Sequence, residues 1–324
     1  MRGSESAYNR FMSQSVWDVP RTEEGLQEVQ RRLAEFHAAG DDLEVGNGLL
    51  ALDFLVKWVP CVTPLPPFIE SRDLSLQALE FFRRAKNEPG QVRALVAATA
   101  MVDPETRETR LSEAEQLAEK ADDENLVAMV IAARGRALGG SNRPKAAELT
   151  RQALAIYRRQ GNHRGVARCL FSLAVQSGDK AERRDAAMEA AQIHRALGDR
   201  SEAARCITIV LWFAKELDPP EKLEALAHEG LEDAISAGDR NLERGLYNEL
   251  ASITEAAGRI EEAEKFRRMA ERILASDGLT PLERWQQRCD SLEGHIATAK
   301  TRGAEHSMKV FQTELNRLRE IKPI

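Results

Sequence analysis

From about residue 22 onward, apolar positions recur three and four residues apart, the spacing of one helix face, and short polar breaks interrupt that spacing at nearly even intervals. The stretch LYNELASITEAAGRIEEAEKFRRMAERIL, residues 246–274, shows the unit: two amphipathic helices with a break at Gly258. Small residues stand at Ala251, Gly258, Ala263 and Ala270, with large ones between. A solitary helix pair has no need of that placement. A pair that stacks on copies of itself does, because small side chains let helices approach closely.

The breaks fall at Gly40, Asn87, Asp122, Gly161, Gly198 and Gly238, with a later one near Ser276. Glycine or asparagine ends a helix by turning left-handed, and the Asp or Asn beside it caps the next helix. The segment ARCL at 167–170 returns as ARCI at 204–207, and VRAL at 92–95 is a looser copy. In the second helix of each unit a small residue recurs at Ala78, Ala114, Ala153, Ala190, Gly230 and Ala270. Repetition at this period predicts a helical solenoid, in which each helix pair hides its apolar face against its neighbours.

The predicted helix pairs run 43–58/71–86, 90–102/105–121, 124–138/144–160, 163–176/181–197, 201–216/220–237 and 240–257/260–275. A helix at 22–37 precedes them within a capping segment, 22–42, and residues 1–21 read as a flexible lead. A last pair, about 281–300 and 304–320 within 276–324, caps the far end. Its start, Thr280-Pro281-Leu282-Glu283, has a capping Thr, Pro in the first turn and Glu three residues on. The final helix sets Met308, Phe311, Leu315 and Leu318 on one face.

On these residues the chain resembles the tetratricopeptide repeat family. Tyr247, Leu250, Ala251, Gly258, Ala263 and Ala270 fall on that repeat's aromatic, aliphatic and small places, and Ala146, Ala153 and Leu154 match in a second helix. The period is longer than the common one, and the turns GGSNRP and LDPP are expanded, as in the longer repeats of bacterial regulatory proteins and kinesin light chains. The resemblance covers about residues 43–275. It implies an all-α, right-handed superhelical solenoid of six to seven pairs, residues 22–324, whose first helices line a concave groove.

The groove positions that the resemblance implies are Arg93, Arg168 and Arg205, with Gly245 in the later unit; then Val96, Phe171, Thr208 and Asn248; then Ala100, Val175, Trp212 and Ser252. Arginine binds carboxylates through two parallel N–H donors and stacks on aromatics, so Arg93, Arg168 and Arg205 beside Phe171 and Trp212 suit an acidic, partly apolar peptide. The competing reading pairs each arginine with a carboxylate of the next repeat. For Trp212 the competing reading is burial, since CITIVLWFA is apolar on every side. The family's carboxylate clamp needs Lys and Asn where this chain has Phe171 and Val175, or Asn248 and Ser252, so chaperone-tail binding is not implied.

Composition narrows the rest. Aromatics are 5% of the 324 residues and the net charge is −6, which disfavours nucleic acid and anionic membrane as partners. Cys61, Cys169, Cys206 and Cys289 are far apart and form no CxxC pair, as in a reducing compartment. No apolar signal core opens the sequence, and CITIVLWFA is too short to span a bilayer, so a cytoplasmic protein is expected. The six histidines show no metal spacing, and no phosphate-binding or nucleophile motif appears. No catalytic residue, metal or cofactor is therefore assigned. The segment VPCVTPLPPFIES, residues 59–71, cannot be helical. It either seals the N-terminal core with its apolar residues or serves as an arm or proline-rich ligand, and an exposed apolar patch there would favour self-association. Two functions compete: an adaptor that binds protein or peptide in its groove, and a regulatory sensor acting on a separate effector.

Overall fold

The computed structural model describes residues 23–57, 65–69, 73–100 and 102–276, and individual positions between 286 and 319. Among the described residues there are thirteen α-helices: α1 Glu23–Ala38, α2 Asp42–Leu55, α3 Leu74–Arg84, α4 Glu88–Ala97, α5 Pro104–Lys120, α6 Glu124–Leu138, α7 Arg143–Arg159, α8 His163–Gln176, α9 Lys180–Ala196, α10 Arg200–Ala214, α11 Pro220–Ser236, α12 Arg240–Ala256 and α13 Ile260–Ser276. Each packs antiparallel-neighbour fashion on the next, giving an α-α solenoid. The even-numbered helices α2 to α12 are the first members, A, of six pairs, and the odd-numbered α3 to α13 are the second members, B.

The junctions from a B helix to the next A helix share one construction. The last residue before the cap is left-handed at Gly40, Gly161, Gly198 and Gly238, and also at Lys86 and Asp122. The following residue donates its N–H five residues back, as in Asn162 to Tyr157 O at 2.9 Å and Asp239 to Ala234 O at 3.0 Å. That same residue then caps the A helix. Asp41, Asn87, Asp123, Asn162, Asp199 and Asp239 each accept from a backbone N–H of the first turn. The sequence placed one break at Asn87. The left-handed residue is instead Lys86, because Asn87 is needed as the cap at φ −96°.

The recurrent small residues lie at the helix crossings. Ala78, Ala114, Ala153 and Ala190 are fully buried, and a Cβ added to Gly230 would lie 2.8 Å from Ile207 Cγ2. The core is a seam in two sections that meet at α6, where Met129, Val130 and Ala133 face one section and Ala128 and Ala132 the other. Successive A helices touch one another all the way from α2 to α12, and among the described helices no two B helices pack comparably. The B row is spanned by long side chains instead: Arg83–Glu113 at 2.7 Å, Arg151–Glu182 at 2.8 Å and Arg158–Glu189 at 2.7 Å. Close A helices and spaced B helices make the A face concave.

Of the proline-rich segment, Phe68 and Ile69 pack on the N-terminal core, and Phe68 stacks on His37 with ring centroids 3.9 Å apart. Gln77 Nε2 donates to Phe68 O at 2.8 Å. These contacts are those of a connector that seals the core. Trp58, Val59, Pro60, Cys61, Val62 and Pro64 lie outside the described residues, as do residues 1–21, Thr280 to Glu283, Met308, Phe311 and Leu318. Described positions in both predicted C-terminal helices are helical, and Cys289, Ile296 and Leu315 pack together.

Candidate binding groove

The A helices repeat not only in fold but in register, so equivalent residues form rows along the concave face. Arg93 shows this directly. Its guanidinium donates to Oδ1 of Asn47, the equivalent residue of the preceding A helix, at 3.3 Å, and to Pro89 O at 3.3 Å, and lies over the Phe82 ring. Arg93 is thus tied to its neighbours. Arg205 lies 3.4 Å from Glu202 within its own helix. Arg168 is exposed and has no carboxylate of the described residues within ion-pair distance. The arginine row is therefore uneven: two members are engaged and Arg168 remains open to a ligand.

In the next row Phe171 is half-buried against the core, Thr208 Oγ1 donates to Ala204 O of its own helix at 3.1 Å, and Asn248 is exposed. In the third row Ser252 is exposed, Val175 is 46% exposed and Trp212 is 58% exposed. Burial of Trp212, the competing reading from an all-apolar run, does not occur. Ile207, Val210 and Leu211 take the buried positions of α10 and leave the indole on the surface. Its N–H donates to Glu249 Oε1 at 3.0 Å, on the next A helix.

The same register, carried to α6, selects Met129, Ala132 and Arg136. All three line one concavity, together with Tyr157, Arg164, Gly165, Arg168 and Cys169. Arg136 was missed because α6 contributes no copy of the ARCL segment that marks α4, α8 and α10. Its signal was positional: it stands 39 residues before Val175, one repeat period. Arg136, like Arg168, has no described carboxylate within ion-pair distance. Arg136 is exposed as a residue, with neighbouring helices crowding its side chain. The resulting desolvation, and then the charge of Arg168, hold it down at about 10. The floor of the concavity is shaped by Gly165, where a Cβ would lie 2.6 Å from the Tyr157 ring.

The chemistry available here is recognition. Burial pushes the Cys169 thiol up to about 11, which makes it a poor nucleophile. Among the described residues no group of His, Cys, Asp or Glu is placed to hold a metal ion. Among them, too, no helix is long and apolar enough to cross a membrane. A second feature also escaped the sequence reading. Arg183 of α9 donates to Ala174 O and Val175 O at the end of α8, and Arg107, at the same place in α5, donates to Thr99 O and Val102 O. These arginines close the C-terminal ends of A helices and are structural.

No family model matches the sequence, and no curated protein matches it. Solved structures do resemble the fold. The signal transduction ATPase with numerous domains (STAND) protein with a tetratricopeptide repeat sensor from Pyrococcus horikoshii is 14% identical, with a TM-score of 0.57. That match covers 92% of this chain and 46% of the STAND protein, so this chain spans about half its length. BtubC from P. vanneervenii is 16% identical over 78% of this chain and 94% of its own, and the apo form of RapI is 14% identical over 78% and 92%; both have TM-scores of 0.46. The class defined is that of helical-repeat solenoids.

Proposed function

We propose that this chain is a tetratricopeptide-like module that binds protein or peptide without catalysis, through the concave face of its A helices, and that the ligand is an acidic segment carrying apolar side chains. The observation that carries the reading is a contrast. Several arginines of the B row are paired with carboxylates of the next repeat, whereas Arg136 and Arg168 line one concavity with no described carboxylate in ion-pair range. Exposed Val175 and Trp212, on the adjoining row, supply apolar area for anchoring a ligand. The net charge of −6 argues against nucleic acid as the ligand, since two open arginines do not make a continuous basic track.

The test is affinity capture from lysate of the source cell, with wild type beside an Arg136→Glu/Arg168→Glu variant and an outer-face Arg151→Glu control. Wild type and control should retain a common partner that the groove variant loses. Recovery of the same partner by all three proteins, in equal amount, would place binding elsewhere.

A further inference from the structure

We propose that Arg136 and Arg168 form a subsite for a phosphate-class dianion, delivered as a phosphomonoester on the segment that occupies the groove. The inference deepens the groove reading and rests on it for the source of the anion. The site itself rests on local geometry. Two arginines from successive A helices, α6 and α8, line one concavity with Met129, Ala132 and Tyr157, close enough for the charge of Arg168 to act on Arg136. Neither has a described carboxylate within reach, in a molecule that elsewhere sets Glu or Asp opposite its inter-repeat arginines, as in Arg83–Glu113, Arg158–Glu189 and Arg195–Asp233.

Two like charges held together beside apolar walls disfavour each other and await a counter-ion. The pKa of Arg136 is lowered first by desolvation and second by the charge of Arg168. A carboxylate cancels one of the two charges, whereas a phosphomonoester near neutral pH carries close to two. Its three terminal oxygens also match the parallel N–H donors of two guanidiniums, which are planar and stay charged. Partial desolvation of the concavity strengthens the attraction once the charges balance.

Inorganic phosphate is the first probe, titrated at constant ionic strength near pH 7.5, with the thermal midpoint and titration calorimetry as readouts. Wild type and Arg151→Gln should show a saturable rise in midpoint. Arg136→Gln and Arg168→Gln, both at exposed positions, should melt normally without phosphate and bind it at least roughly tenfold more weakly. N-acetyl-phosphoserine amide should bind at least as tightly as inorganic phosphate, and N-acetyl-glutamate amide far more weakly. Equal phosphate binding by Arg136→Gln and wild type would overturn the site. Equal binding of the glutamate and phosphoserine compounds would overturn the dianion preference. Exclusion of phosphoserine by a site that takes free phosphate would overturn delivery on a segment. No protein partner enters these titrations, so their failure is distinct from a failure of the groove reading in the capture experiment.

Discussion

The indole N–H of Trp212 donates to Oε1 of Glu249 at 3.0 Å, joining α10 to α12 across 37 residues, while Lys215 Nζ reaches the other oxygen of Glu249 at 2.9 Å. A large aromatic is thereby exposed yet held in place, the condition under which an aromatic anchors a ligand at little entropic cost. Trp212→Ala should change stability in denaturant by no more than about 1 kcal/mol, because little packing is lost. It should weaken the captured partner by about 2 kcal/mol or more, the scale of an anchoring residue. Matched denaturation and binding curves check both. A large stability loss with unchanged binding would make Trp212 merely structural.

Three glycines separate three physical roles under substitution. A Cβ at Gly245 in the middle of α12 meets nothing within 4 Å, so Gly245→Ala should stabilise the protein by about 0.5–1 kcal/mol through helix propensity. Gly198 also has room, but its φ of +77° makes Gly198→Ala cost about 1–2 kcal/mol. At Gly230 a β-branched side chain would be driven into Ile207 and Leu246, and Gly230→Val should cost about 3 kcal/mol. Urea midpoints should rank the variants in that order.

Asp233 is buried between two arginines, with Oδ2 2.6 Å from Arg195 Nε and Oδ1 2.6 Å from Arg200 Nη1. It ties α9, α10 and α11 together. Both arginines retain solvent contact, which softens the loss of their partner, so Asp233→Asn should cost about 2–3 kcal/mol, below the range for a fully enclosed pair. The check is a denaturation midpoint compared with that of Glu229→Gln, whose exposed bond to Arg195 should contribute less than about 1 kcal/mol.

Much of the solenoid was legible in the sequence because its signals are local. A Gly-Asp or Gly-Asn pair marks a junction, and a buried small residue marks a crossing. The predicted pairs from 124 to 275 differ from the observed helices by a residue or two. The first two pairs were harder. The helix expected over 90–102 occupies Glu88–Ala97, because Asn87 caps it early and Arg107 and Arg110 of α5 take the carbonyls of Thr99, Val102 and Ala98 beyond its end. The groove was legible in its register and not in its chemistry. Residue type alone treats Arg93, Arg168 and Arg205 alike, and only coordinates show that Asn47 and Glu202 engage two of them. For Trp212 the apolar run left two readings, groove or burial, since such a run says nothing about which of its members fits between helices; the indole is 58% exposed.

Acid should weaken the fold before it affects the core. The carboxyls of Asp42 and Glu224 are lowered, first by hydrogen bonds from Arg84 and Arg259, and that of Glu182 is lowered first by its bond from Ser177. Depressed carboxyls contribute stability that is whole above their unfolded values, near 4, and is lost as pH falls through the lower folded values. Urea midpoints should therefore hold from pH 7 to 5 and decline below about 4, less steeply in high salt. A midpoint constant down to pH 2.5 would contradict this.

The account rests on a ligand lying along the A helices, and site-specific photocrosslinking measures that most directly. A photoreactive residue would be placed at Trp212 or Ser252 on the concave face, and at Ile235, an exposed apolar residue of α11, on the other. The predicted result is a partner adduct from positions 212 and 252 that disappears with Arg136→Glu/Arg168→Glu, and little adduct from position 235. Equal yields of the same adduct from position 235, unaffected by the arginine changes, would contradict it.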